Sequence, residues 1–239
     1  MKKLILSICT VLSLQLFAQD VIVKDANAEK RNLSSDFTAI EVSSGIELLL
    51  TKGDEASLAV SASDKKYLEL FKTEVVGNTL KIYYDNKGMV WNGNEKRKLR
   101  AYVSFKLIDK LQGSSGAAIV CKNILKLAVL DLKLTSGAQF TGEVNIGQLS
   151  ADQNSGSEIN ITGKAEKITV ETSSGAIFKG FDLVVDYCNA KASSGASVRI
   201  NVSKELAAKA SSGGGIRYKG EAVIKDLNVN SGGIIKKAS

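Results

Sequence analysis

Asp152 and Glu171 are the two residues of this sequence whose type and spacing come nearest to catalytic chemistry. They stand 19 residues apart, each four residues before a glycine that follows a serine, Gly156 and Gly175. If the chain repeats at that interval, both carboxylates face outward on neighbouring coils, about 4.8 Å apart. That is near enough for a carboxylate pair or a cation site. The same position in the flanking repeats holds Lys133, Lys191 and Lys209. The column is therefore read first as a ladder of solvated charges that offset one another. A second outward column lies four residues after the glycine and carries Lys179, Arg199 and Arg217 on successive repeats. One cation per coil suits the repeating charge of an anionic glycan; the plainer reading is a solvated face that discourages edge pairing. The third candidate is Trp91, the single tryptophan, near the basic run Lys96, Arg97 and Lys98. An aromatic beside cations can hold a sugar or an acidic partner, or it can fold back on the sheet from a hairpin loop.

Composition removes most other chemistry. The sequence has no histidine, which excludes Ser-His-Asp and Cys-His catalysis and His-ligated metals. Its glycine-rich turns lack the Gly-Lys-Ser/Thr ending of a phosphate loop. Of three cysteines, Cys9 lies in an apolar leader, while Cys121 and Cys188 fall on inward-facing columns. A thiol there is a poor nucleophile and a poor ligand. The reading is of a protein with no catalytic residue, metal or cofactor.

The columns exist only if something repeats, and a short phrase does. It is Ser-Ser-Gly-Ala or a near variant, centred on Gly116, Gly137, Gly156, Gly175, Gly195, Gly213 and Gly232, at intervals of 21, 19, 19, 20, 18 and 19. A fixed period of this length marks a stacked repeat. An earlier copy at Gly45 stands 71 residues before Gly116. Three, five and seven residues before the glycines are mostly apolar, as in Leu134, Leu132 and Leu130, with polar residues between them. Alternation of period two marks a half-buried strand entering the turn. Three residues after the glycines come Ile119, Phe140, Ile159, Phe178, Val198, Ile216 and Ile235, so a second strand leaves it. A return loop such as 163–167 closes each coil. Stacked coils of this kind make an all-β fold, a parallel β-solenoid with coils of about 19 residues. Glycine suits the corner because it enters positive φ freely, and the preceding Ser or Asn can satisfy turn backbone groups.

The remaining chain frames this stack. Residues 1–18, with Lys2, Lys3 and an apolar stretch from Leu4 to Leu16, read as a signal peptide; the rival, an uncleaved anchor, is short for a span. Residues 19–33 are a polar lead-in, expected to be mobile. Residues 34–108 form a less regular β region with the first Ser-Gly corner, a short helix over 65–73 and the Trp91 loop. Residues 109–239 hold the regular solenoid. Together 34–237 read as one continuous core, the irregular region capping or extending a stack that otherwise has open edges. Net charge is +7, or +5 once Lys2 and Lys3 are removed, and export makes nucleic acid an unsuitable partner. Cys121 and Cys188 fall about three coils apart, too far for a disulfide, so two buried thiols are expected.

The chain resembles the putative auto-transporter adhesin, head GIN domain family of exported Bacteroidetes proteins over roughly residues 34–237. The resemblance rests on the run from Asp36 to Val42, on Ser44-Gly45-Ile46-Glu47, on Asn78 to Tyr83, on the serial Ser-Gly-Ala corners and on Ser231 to Lys237. Glu47 stands where the Gly-Ile-Asn signature has asparagine. The resemblance implies a β-helical, exported cell-envelope protein and brings no catalytic residues. The function read is a non-enzymatic binding module, periplasmic, on the outer surface or secreted, presenting a rigid face to a surface glycan or envelope protein. No transmembrane segment is expected after the signal is removed. Two alternatives stand beside it: a structural module stacking through its open end into an end-to-end homo-oligomer, and a polysaccharide-active enzyme using outward carboxylates.

Overall fold

Alternating apolar residues along nearly every segment leave one solution, strands with a shared dry side, and the computed structural model has it. It describes residues 25, 27–86 and 97–238; residues 1–18, read above as a signal peptide, and Trp91 lie outside them. The first strands are short: β1 Glu29–Arg31, β2 Ala39–Val42, β3 Glu47–Lys52, β4 Ser57–Ser61, β5 Phe71–Val76, β6 Thr79–Tyr84, β7 Arg100–Phe105, β8 Lys110–Gly113 and β9 Ala118–Cys121. Longer ones follow: β10 Leu125–Leu134, β11 Gln139–Gln153, β12 Glu158–Thr172, β13 Ile177–Ala192 and β14 Ser197–Ala210. The chain closes with β15 Gly215–Lys219, β16 Val223–Val229 and β17 Ile234–Lys237. The fold is a parallel β-solenoid.

Register stacks like on like. Leu130, Leu149, Ile168, Cys188 and Leu206 are successive pairing partners, and all are buried. So are Ile119, Phe140, Ile159, Phe178, Val198 and Ile216 on the far side of the corner. Each such side chain contributes about 1.5–3 kcal/mol when removed from water. The columns are filled by volume compensation. Where the column after the corner carries Phe140 or Phe178, the inward residue two places on is Gly142 or Gly180. A Cβ on Gly180 would lie 2.5 Å from Phe178 Cε1, and one on Gly142 would lie 3.1 Å from Phe140 Cζ.

The order of coils is not the order of the chain. The β2–β3 coil lies between β6–β7 on one side and β8–β9 on the other, in parallel register with both. The intervening residues close the first end of the stack with antiparallel strands: β5 on β6, β4 on β7 and β1 on β4. The buried apolar cluster runs without a break from Phe37 to Ile216.

Three local expectations change. The helix over 65–73 is a single 3₁₀ turn at Lys65–Tyr67, capped by the Asp64 side chain, and Phe71 already begins β5. Leu68 and Phe71 are buried as a helical spacing would have it, but pairing of β5 with β6 overrides the local signal. The return loop at 163–167 is strand instead: β11 to β14 each run unbroken from one Ser-Gly corner to the next. The bend in β12 falls at Gly163, at φ +106°, so close to its neighbour that a Cβ would lie 2.1 Å from the Val144 carbonyl oxygen. Glycine lets the backbone turn there while the ladder with β11 continues through it; the ladder with β13 shifts register between Asn160 and Gly163. Within the polar lead-in, Glu29–Arg31 forms β1.

Candidate functional site

The Ser-Gly corner sets the direction of every outward side chain beside it. At each corner two consecutive residues have positive φ, as Ser174 at +52° and Gly175 at +74°. The turn is closed by Ala176 N–H donating to Ser173 C=O at 3.1 Å. Two positive φ values in the centre of a four-residue turn are the type I′ pattern, whose twist matches flanking strands. The sequence reading gave positive φ to glycine alone; the preceding serine shares it. Serine pays about 1–2 kcal/mol for a left-handed backbone, and its carbonyl gains a partner. Gly45 N–H donates to Ser115 C=O at 2.9 Å, Gly116 to Ser136 at 2.9 Å, Gly175 to Ser194 at 3.1 Å and Gly213 to Ser231 at 3.2 Å. A hydrogen-bond ladder thus runs through the turns, each bond worth about 1 kcal/mol. The small residues that follow, Ala117, Ala138, Ser157, Ala176 and Ala196, are buried beneath it.

Asp152 and Glu171 are register partners on adjacent coils, as their spacing implies. Each turns toward a lysine on its other side. Lys133 Nζ lies 3.2 Å from Asp152 Oδ2, and Lys191 Nζ lies 2.7 Å from Glu171 Oε1. All four side chains are exposed, so each pair is worth about 0–1 kcal/mol. Among the described residues no group of His, Cys, Asp or Glu is arranged to hold a metal ion. The arrangement is a charge ladder.

The second column differs. Lys179, Arg199, Arg217 and Lys236 are successive register partners on β13, β14, β15 and β17. Lys179 is drawn to Glu158 at 2.6 Å. Arg199, Arg217 and Lys236 are exposed and have no ion pair among the described residues. Strand spacing sets such neighbours about 4.8 Å apart. Lys236 was missed in the sequence although it keeps the offset of four from Gly232. Lys219 extends the basic face two residues beyond Arg217 and lies 5.4 Å from the centre of the Phe181 ring.

The basic run beside Trp91 is split by the fold. Arg97 sits over the Tyr84 ring at 4.4 Å. Lys98 lines a cleft of about 300 Å³ with Asp25, Ser61 and Arg100. Asp25 accepts hydrogen bonds from Tyr102 Oη at 2.7 Å, Ser61 Oγ at 2.7 Å and the Asn27 amide at 3.0 Å. These donors hold its carboxyl below the usual carboxylate range, so it is a fixed acceptor and a weak base. Burial raises the tyrosine, and the bond to Asp25 adds to the shift. Cys121 and Cys188 are both free, Cys188 buried and Cys121 partly so. Burial pushes each thiol up to about 12, which leaves almost no thiolate at neutral pH. Among the described residues no helix is long and apolar enough to cross a membrane.

The sequence matches the family described as putative auto-transporter adhesin, head GIN domain, over residues 36–222. The chain belongs to this family. The matched head GIN domain covers the early Gly45 coil and the stack up to the Gly213 corner. A solved putative adhesin from Bacteroides fragilis superposes with a TM-score of 0.79 at 15% identity, covering 88% of this chain and 96% of that one. A putative adhesin from Parabacteroides merdae gives 0.68 at 17%, covering 90% and 98%. A protein from Parabacteroides distasonis described as a putative lipid binding protein gives 0.61 at 18%, again covering 90% and 98%. At these identities the likeness is one of fold. No protein of curated function matches the chain by sequence.

Proposed function

We propose that this head GIN domain protein is an exported, non-catalytic binding protein of the cell envelope. Its basic column, Lys179, Arg199 and Arg217 with Lys236, takes an anionic surface glycan. The observation that carries this reading is the run Arg199, Arg217, Lys236: three cations, one per coil, none of them neutralised among the described residues. A rigid ladder of charges loses little entropy on meeting a ligand with its own repeating charge. The adhesin name of the family agrees with a binding role, and the pairing of Asp152 and Glu171 with lysines argues against the enzyme reading. The leader over 1–18 would deliver the chain to the periplasm or beyond.

The test is a glycan array spanning acidic and neutral polysaccharides, run with the parent protein and with the triple variant Arg199→Glu, Arg217→Glu, Lys236→Glu. Binding confined to acidic glycans, weakened by salt and lost in the triple variant, is expected. Binding of a neutral glycan that survives charge reversal would sink the assignment. So would retention by anionic lipid vesicles without any glycan binding, an outcome worth including because one protein of the same fold is described as a putative lipid binding protein.

A further inference from the structure

The two ends of the solenoid are not alike. The first is closed by β1, β4 and β5. At the other, β16 and β17 pair only with β14 and β15, and among the described residues nothing pairs with their outer edges. The consequence shows in the core columns. Leu206, Ala208 and Ala210 are at most 3% exposed, whereas their register partners Ile224, Leu227 and Val229 are 39%, 43% and 49% exposed. The coil of β16 and β17 therefore carries core residues that no coil among the described residues covers.

We infer that this end pairs with a second copy of the same chain, β16 against β16, antiparallel, about a two-fold axis between Lys225 and Asp226. The pattern of faces along β16 points to this register. A shift in the ladder lies between Leu206 and Ala207, which pair with Ile224 and Asp226. It places two successive residues on the outer face: Lys225, which reaches Glu205 at 3.3 Å, and Asp226, in line with Ala207 and Asn189. Reading outward from that point, Ile224 and Leu227 face the core, Val223 and Asn228 face out, and Ala222 and Val229 face the core. The order is the same in both directions.

A two-fold antiparallel pairing requires that symmetry, because directly opposed residues point to the same side of the sheet. An unshifted strand would set Ile224 and Leu227 on opposite faces. Here Ile224 meets Leu227 of the second copy on the core side. Lys225 meets Asp226 on the outer side, so the strand is complementary to itself in charge. A bulge with charges usually blunts a sheet edge; at this one it makes the edge self-matching.

The first end finishes in antiparallel strands rather than in a coil like the last, so the two ends are not alike, and pairing of β16 with β16 about a two-fold axis closes at two copies. One coil offers fewer than the roughly 20–30 residues a side of a standard interface, so a weak, concentration-dependent dimer is expected. Pairing would put two basic columns on one particle and raise avidity for a repeating ligand. The inference stands apart from the identity of that ligand.

Sedimentation velocity of the purified protein over about 1–300 μM tests it. A monomer–dimer equilibrium with no larger species is expected. Lys225→Glu, which sets Glu against Asp226, should weaken the dimer at least tenfold. Adding Asp226→Lys should restore it, since the swapped pair is complementary again. Circular dichroism establishes that each variant keeps its sheet. A monomer throughout the range, a growing polymer, or a dimer indifferent to Lys225→Glu would each overturn the proposal.

Discussion

The amide of Gly45 donates to the carbonyl of Ser115 at 2.9 Å, making neighbours of two corners whose bonded residues are 70 apart in sequence. The isolated early Ser-Gly phrase is therefore a coil of the stack, and the chain between them builds the closed end. Eight corners lie in a single column as a result.

Substitutions at the glycines should separate strain from crowding. Gly175 has φ +74° and nothing within 4 Å of an added Cβ, so Gly175→Ala should cost only the left-handed penalty of about 1–2 kcal/mol. Gly175→Val should cost more, since a β-branched residue tolerates positive φ poorly. Gly163→Ala should exceed Gly175→Ala, because the new Cβ would also strike the Val144 carbonyl at 2.1 Å. Urea midpoints rank the three; equal values for Gly163→Ala and Gly175→Ala would refute the ordering.

The Phe178–Gly180 compensation predicts coupling. Gly180→Ala overfills the coil and should destabilise by about 1–3 kcal/mol. Made in a Phe178→Leu background, the same change should be milder, giving a coupling of about 0.5 kcal/mol or more in a double-mutant cycle. Strict additivity would show that the ring does not need the glycine.

The thiols give a pH dependence. Each is raised from 9.0 to about 12 by burial, so the folded state holds its protons longer than the unfolded chain. Their contribution to stability is complete below pH 9 and is lost as pH rises toward 12. Denaturation midpoints of the parent should fall more steeply over that window than those of the Cys121→Ala/Cys188→Ala variant. At pH 8 Cys188 should resist a thiol reagent until urea is added, whereas Cys121, only partly buried and not fully buried as expected from its column, should react sooner. Rapid labelling of Cys188 in the native protein would contradict its buried assignment.

The lysine–carboxylate ladder should matter little. Lys191→Glu places like charges beside Glu171, yet these side chains are half exposed. The expected loss is below about 1 kcal/mol, and it should vanish at high salt through screening. A salt-insensitive loss of several kcal/mol would mean the pair is structural.

Period and alternation alone made the solenoid legible, because a strand buries every second residue and each coil must turn alike. The outward placement of Asp152, Glu171, Lys179, Arg199 and Arg217 follows from the same counting. Counting did not extend to Lys236, although its offset from Gly232 was available, nor to Phe71, whose spacing from Leu68 imitates a helix until β6 pairs with it.

What the sequence determined by itself is the repeat: the corners, the inward columns and the absence of histidine chemistry. Only the tertiary structure decided which charges are neutralised, because that depends on which rotamer reaches across to the next coil. It also decided that Gly45 stacks on Gly116, since the long excursion between them pairs with strands distant in sequence. The left-handed serine, the continuous strand through Gly163 and the shift at Lys225 belong there too. Each is a response of the backbone to the coil above or below it, and a single coil read alone contains no trace of its neighbour.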